Sequence, residues 1–236
     1  MSPLKADQAT DAKTIDSHWH WLYRVGGAAA LVSAVFIPIQ VIVFIASPPP
    51  STVIGWFTLF QNNRLVGLID LDLLLVADNV LLVPIFLALY VILRRTSESF
   101  LAIAIALAFL GIAFFIVSNP AFEMLSLSNQ YAAATTDMQR STILAAGQAM
   151  LATWQGTAFQ VGYVLGSVAG IVIGAVMLLS SIFGKVTAYM LILGNAVGLG
   201  LYVPIIGIYI SVFSVLFLEV WYILVGRRLL QLGRGA

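Results

Sequence analysis

A chain of 236 residues that is 61% hydrophobic and only 9% charged has more apolar surface than its own core can hide. Water-soluble domains are about 25% charged, so lipid must solvate much of this one. The net charge of +1, with no basic stripe, gives no footprint for nucleic acid, and the absence of cysteine excludes disulfides, thiolate catalysis and Cys metal sites.

Residues 1–22 are polar and too long a lead for a secretory signal, and Phe44-Ile45-Ala46 is a poor cleavage context. The first apolar run is therefore expected to stay as an anchor. His18 and His20, the two histidines, have no third ligand in sight. Trp19, Trp21 and Tyr23 beside them suit an interfacial anchor, and no metal site is expected.

About 20 apolar residues cross a hydrocarbon core. Six segments qualify, at about 23–46, 65–93, 99–118, 158–181, 186–206 and 208–226. The expected fold is an all-α, polytopic transmembrane bundle of six spans, followed by a short tail at 229–236. Lys5, Lys13, Arg24, Arg94, Arg95, Lys185, Arg227, Arg228 and Arg234 fall on one side of it and only Arg64 and Arg140 on the other. Lys and Arg accumulate inside, so both termini are expected in the cytoplasm.

Two long connections then lie on the outer face. Ser47-Pro48-Pro49-Pro50-Ser51 is a stiff exit into a stretch whose Trp56, Phe57 and Phe60 suit the headgroup layer. Residues 119–157 have helical spacing in Met138, Leu144, Met150, Leu151 and Trp154. They are expected to form an amphipathic helix on, or capping, that face. The two halves of the chain share no motif, which weakens an inverted-repeat transporter reading.

The fourth span carries Gly162, Gly166, Gly170 and Gly174 on one helical face, a groove for close helix packing. Gly26, Ala30 and Ala34, and Gly194 and Gly198, are candidate partners.

The second span holds Asp70, Asp72, Asp78, Asn79 and Pro84. Counting back from Arg94-Arg95 places its hydrocarbon part near 74–93. Asp70 and Asp72 then read as hydrated interface residues beside Arg64, favoured near a helix N-terminus. Asp78 lies deeper, where acids are costly and are functional suspects. It is either a cation or proton station or a polar knot with Asn79, Gln160 or Asn195. Glu219 in the sixth span is a second, inward candidate. Asn195 reads better as an interhelical hydrogen-bond former. No nucleophile elbow, P-loop or His-based zinc site is present, so catalysis is disfavoured and no cofactor is expected.

Leu151-Ala152-Thr153-Trp154-Gln155-Gly156-Thr157-Ala158-Phe159, Ile182-Phe183-Gly184-Lys185-Val186-Thr187-Ala188-Tyr189 and Trp221-Tyr222-Ile223-Leu224-Val225-Gly226-Arg227-Arg228-Leu229, with Tyr23-Arg24-Val25-Gly26-Gly27 near the start, resemble a bacterial six-span family catalogued as domain of unknown function 4386. The resemblance implies a bacterial or archaeal cytoplasmic-membrane protein. It brings no activity.

Two functions follow as expectations. One is passage or sensing of a small ligand or cation through an outward pocket lined by Asp78, Asn79, Gln160 and Asn195, with Glu219 as the inward ligand candidate. The other is a non-transporting scaffold in which these groups lock helices and the outer helices bind a partner. Besides the lipid bilayer, neither partners nor oligomeric state can be read from the sequence.

Overall fold

The computed structural model describes residues 17–235. They form α1 (His20–Ala46), α2 (Val53–Asn62), α3 (Arg64–Asp70), α4 (Leu73–Leu93), α5 (Glu98–Ser118), α6 (Ala121–Ala133), α7 (Asp137–Trp154), α8 (Thr157–Leu179), α9 (Lys185–Gly198) and α10 (Gly207–Gly233), with 3-10 turns at Ser17–Trp19 and Leu199–Tyr202. No strand occurs among the described residues. Six stretches are long and apolar enough to cross a membrane: His20–Ala46, Leu73–Leu93, Glu98–Ala133, Asp137–Leu179, Lys185–Tyr202 and Gly207–Gly233. In each, 22–44% of the most apolar window is buried within the chain, so most of that surface needs lipid around it. The protein is a multi-pass helical membrane bundle.

Several boundaries depart from the sequence reading, each for a local reason. The expected second span, 65–93, is broken after Asp70. The N–H of Leu71 bonds back to the Gly67 carbonyl and that of Asp72 to Ile69. Asp72 then adopts φ 63°, a left-handed conformation that a short polar side chain tolerates. The expected helix within 119–157 is two helices. Thr136 starts α7 with a capping box, its hydroxyl accepting from the Gln139 N–H while Gln139 accepts from the Thr136 N–H. The expected tail at 229–236 is largely helical, because Leu229 and Leu232 keep α10 on a buried face. The fifth span stops being α-helical at Gly198, and Ile205 takes φ 70° in the turn before α10. Of the expected tail at 1–22, residues 1–16 lie outside the described residues.

The chain divides into two compact units. The first comprises the described parts of 1–35 and 164–236, with 80–111. Its helices meet almost backbone to backbone. A Cβ on Gly27 would lie 2.9 Å from the Gly226 carbonyl oxygen, and one on Gly26 3.0 Å from that of Pro84. Side chains in this position would push the helices apart. The glycine face of α8 behaves unevenly: Gly170 fits against Asn195 and Gly174 against Ile192 and Ala188, all on α9, whereas a Cβ on Gly166 would touch nothing within 4 Å. Gly194 packs instead on Leu218 of α10.

The second unit comprises 36–79 and 112–163, and Gly162 belongs to it. Val53, Trp56, Phe57, Phe60, Leu71, Ala121 and Met124 form its core, with residues of α6 and α7 around them. The three aromatics of α2 expected in the headgroup layer are thus buried. α6 and α7 cover them, and the ring of Tyr131 sits 5.4 Å from that of Phe57. Ser128 ties the layers together by donating to the Phe57 carbonyl and accepting from Gln61, both at 2.9 Å.

Candidate functional site

The break between α3 and α4 places two carboxylates two residues apart inside the second unit. Asp70, the last residue of α3, is 0% exposed, and Asp72, which precedes α4, is 8% exposed. Hydrated-interface positions beside Arg64 are therefore the wrong description of them. The left-handed turn draws the pair inward, and Arg64 is exposed and bonds to neither.

Each carboxylate has one donor. Asp72 Oδ2 accepts from the indole Nε1 of Trp154 at 2.8 Å, and Trp154 is held edge-on to Trp56 with ring centroids 5.8 Å apart. Asp70 Oδ2 accepts only a long bond of 3.5 Å from Ser47 Oγ, and its Oδ1 has no hydrogen-bond partner. Gln40 on α1 is 4% exposed and donates from Nε2 to the Ile69 carbonyl at 2.9 Å, while its Oε1 is also unpartnered. Asn119 completes the surround by donating to the Leu71 carbonyl. Its Oδ1 accepts from the Ala121 N–H as α6 begins.

Both acids lie before the membrane-length stretch Leu73–Leu93. Burial pushes the Asp70 carboxyl up to about 6, the Ser47 bond opposing. Burial also pushes Asp72 up to about 7; the Trp154 bond opposes that shift and the neighbouring charge of Asp70 adds to it. Among the described residues no Lys or Arg acts on either group. The orphan atoms here, Asp70 Oδ1 and Gln40 Oε1, are both acceptors. What such a place lacks is a proton or a cation, since a buried acceptor without a donor costs about 1–3 kcal/mol. Among the described residues no group of three or more His, Cys, Asp or Glu side chains that could hold a metal ion is found.

No family model, curated protein or solved structure matches the chain. Its function must be read from these residues alone.

Of the residues singled out from sequence, Asp78, Asn79 and Gln160 belong to this second unit, and Asn195 and Glu219 to the first. Asp78 is buried on α4 and engaged with its surroundings. The three amides each donate within their own stretch of chain: Asn79 to the Leu75 carbonyl at 2.9 Å, Gln160 to Gln155 at 3.2 Å and Asn195 to Leu191 at 2.8 Å. Glu219 is half-buried on α10. His20 lies tilted against Tyr23, ring centroids 6.3 Å apart.

Ser47 and Trp154 as partners of the acids, and Gln40 and Asn119 as donors to the backbone around them, escaped the sequence reading. Gln40 carried the one available signal, an amide inside an otherwise apolar first span. The contact of Trp154 with Asp72 joins residues 82 apart in sequence and leaves no local trace.

Proposed function

We propose that this chain binds a proton or a small monovalent cation at Asp70 and Asp72, and that it uses this site in cation-linked transport or sensing. The observation that carries the reading is the fully covered Asp70 carboxylate. Among the described residues its Oδ1 lacks a donor, as does Gln40 Oε1, and no basic side chain acts on it. Proton uptake converts such a group into a neutral hydroxyl that can donate. A monovalent cation would draw on the same oxygens, with Ser47 Oγ as a third.

The setting belongs to the proposal. The excess of Lys and Arg on one side supports cytoplasmic termini, which puts the acid pair toward the outer face. The resemblance of Trp154–Phe159 and Trp221–Leu229 to a bacterial six-span family supports a bacterial cytoplasmic membrane.

The test is flux and binding in proteoliposomes. Asp70→Asn, folded as judged by its melting curve, is expected to abolish proton- or sodium-dependent uptake. It is also expected to abolish the pH-dependent change in Trp154 fluorescence, identified by its loss in Trp154→Phe. Fluorescence that is flat from pH 5 to 8 in the unmodified protein would reject the reading.

A second reading, a non-transporting scaffold, has its own support. The amides of Asn79, Gln160 and Asn195 donate to nearby carbonyls of their own chain segments, so these donors are engaged by the fold itself. In that case Asp78→Asn lowers thermal stability and no flux is seen with any variant.

A further inference from the structure

A second feature, in the first unit, is independent of the acid pair. Where the beginning of α1 meets the end of α10, a groove of about 520 Å³ is lined by Trp21, Arg24, Val25, Ala28, Leu230 and Arg234. Its shape follows from glycine. A Cβ on Gly233 would come within 3.0 Å of the Arg24 backbone nitrogen and of the His20 carbonyl oxygen, and Gly226, about two helical turns back along α10, meets Gly27. The two helices touch along this line and leave a furrow beside it.

The furrow is polar at one end and apolar at the other. Residues 21, 24, 25 and 28 share one face of α1, and 230 and 234 lie one turn apart at the end of α10. Trp21, Arg24 and Arg234 therefore mark the end nearest the helix termini, while Val25, Ala28 and Leu230 form a floor running inward. Arg24 is fixed by its Nε, which donates to the Gly233 carbonyl at 2.8 Å. Its terminal nitrogens form no other hydrogen bond among the described residues. The Arg234 side chain has no partner there either, and no carboxylate lines the groove. Trp21 is 73% exposed, an indole standing at the level where such rings meet lipid headgroups.

We infer that this groove is a binding site for an anionic phospholipid, its phosphate held by Arg24 and Arg234 and one acyl chain lying on Val25, Ala28 and Leu230. Charge complementarity selects the headgroup, since two guanidiniums with free N–H groups match phosphate oxygens. The apolar floor selects a lipid over a free anion. Basic pockets at helix ends hold anionic headgroups for the same reason.

Native mass spectrometry of the full chain, released from vesicles of equal phosphatidylglycerol and phosphatidylcholine, tests this. The expected result is preferential retention of phosphatidylglycerol. Arg234→Gln, which breaks no hydrogen bond of the fold, should lower that preference about fivefold. Ala28→Phe should lower retention by filling the floor while leaving every charge in place. Arg227→Gln, exposed and outside the groove, should change nothing. Equal retention of the two lipids overturns the site. So does an effect of Arg227→Gln as large as that of Arg234→Gln, which would mean diffuse attraction to an anionic surface. Complete displacement by inorganic phosphate, or occupation of the groove by a second copy in a dimer insensitive to lipid, would also overturn it.

Discussion

The two units of this chain solve burial in opposite ways. In the first, the buried polar side chains are hydroxyls, Ser33, Ser167, Thr187 and Ser214, and Ser214 bonds to a carbonyl of its own helix. Its helices come together by omitting side chains at Gly26, Gly27, Gly170, Gly174 and Gly226. In the second lie all the buried carboxylates among the described residues, Asp70, Asp72 and Asp78, within a unit whose core is rich in aromatics. A hydroxyl can be satisfied by its own helix, as Ser214 is, and left unmet, as Ser33 Oγ is among the described residues, it carries no charge. Carboxylates cannot, and for Asp70 and Asp72, on which no Lys or Arg acts among the described residues, burial raises the pKa.

The sharpest way to break the packing half of this contrast is to restore a side chain at the helix crossing. Gly27→Val would press on the Gly226 carbonyl and on Leu230, and is expected to cost about 3 kcal/mol or more of stability, read as a lower melting temperature in detergent. Gly166→Ala is the internal control. Its Cβ meets nothing within 4 Å, so the melting temperature should stay level or rise slightly.

The electrostatic half is tested by pH. Burial holds Asp70 at about 6 and Asp72 at about 7, against 3.8 ordinarily. The folded chain therefore binds protons more tightly than the unfolded one. The stability this contributes is fully present below about pH 4 and is lost as pH rises through 6 and 7. Melting temperature should accordingly fall between pH 5 and pH 8. The Asp70→Asn, Asp72→Asn double variant should flatten that dependence and exceed the unmodified protein at pH 8. A smaller effect is expected from Trp154→Phe, which removes the donor to Asp72. It should destabilise by about 1–2 kcal/mol, more at pH 8, where Asp72 is charged, than at pH 5. Smallest is Ile205→Gly. A β-branched residue at φ 70° is strained, and relieving it should raise stability by about 1 kcal/mol without altering the pH profile.

How much of this could be read in the sequence differs between the two halves as well. Six spans were legible because apolar length is a local property of each segment. The glycine spacing in α8 was legible too, but not which glycines find a neighbour: Gly170 and Gly174 meet α9 and Gly166 does not, a matter of where a second helix crosses. Asp78 stood out by depth along the chain. Asp70 and Asp72 read as hydrated because counting residues from Arg94-Arg95 assumes one unbroken helix. The left-handed Asp72 interrupts it, and the cover comes from Gln40, Ser47 and Trp154, far apart in sequence. The aromatics of α2 were misassigned to lipid on the same ground, since α6 and α7 cover them.

The acid pair is proposed to take up a proton or cation within the physiological range. The direct measurement is an infrared pH titration of the carboxyl stretch in the reconstituted protein, comparing the unmodified chain with Asp70→Asn and Asp72→Asn. A protonated carboxyl band that titrates near pH 6–7, and that each substitution diminishes, is the predicted result. A band already lost by about pH 5 would show both acids ionised and paired as ordinary carboxylates, and would contradict the account.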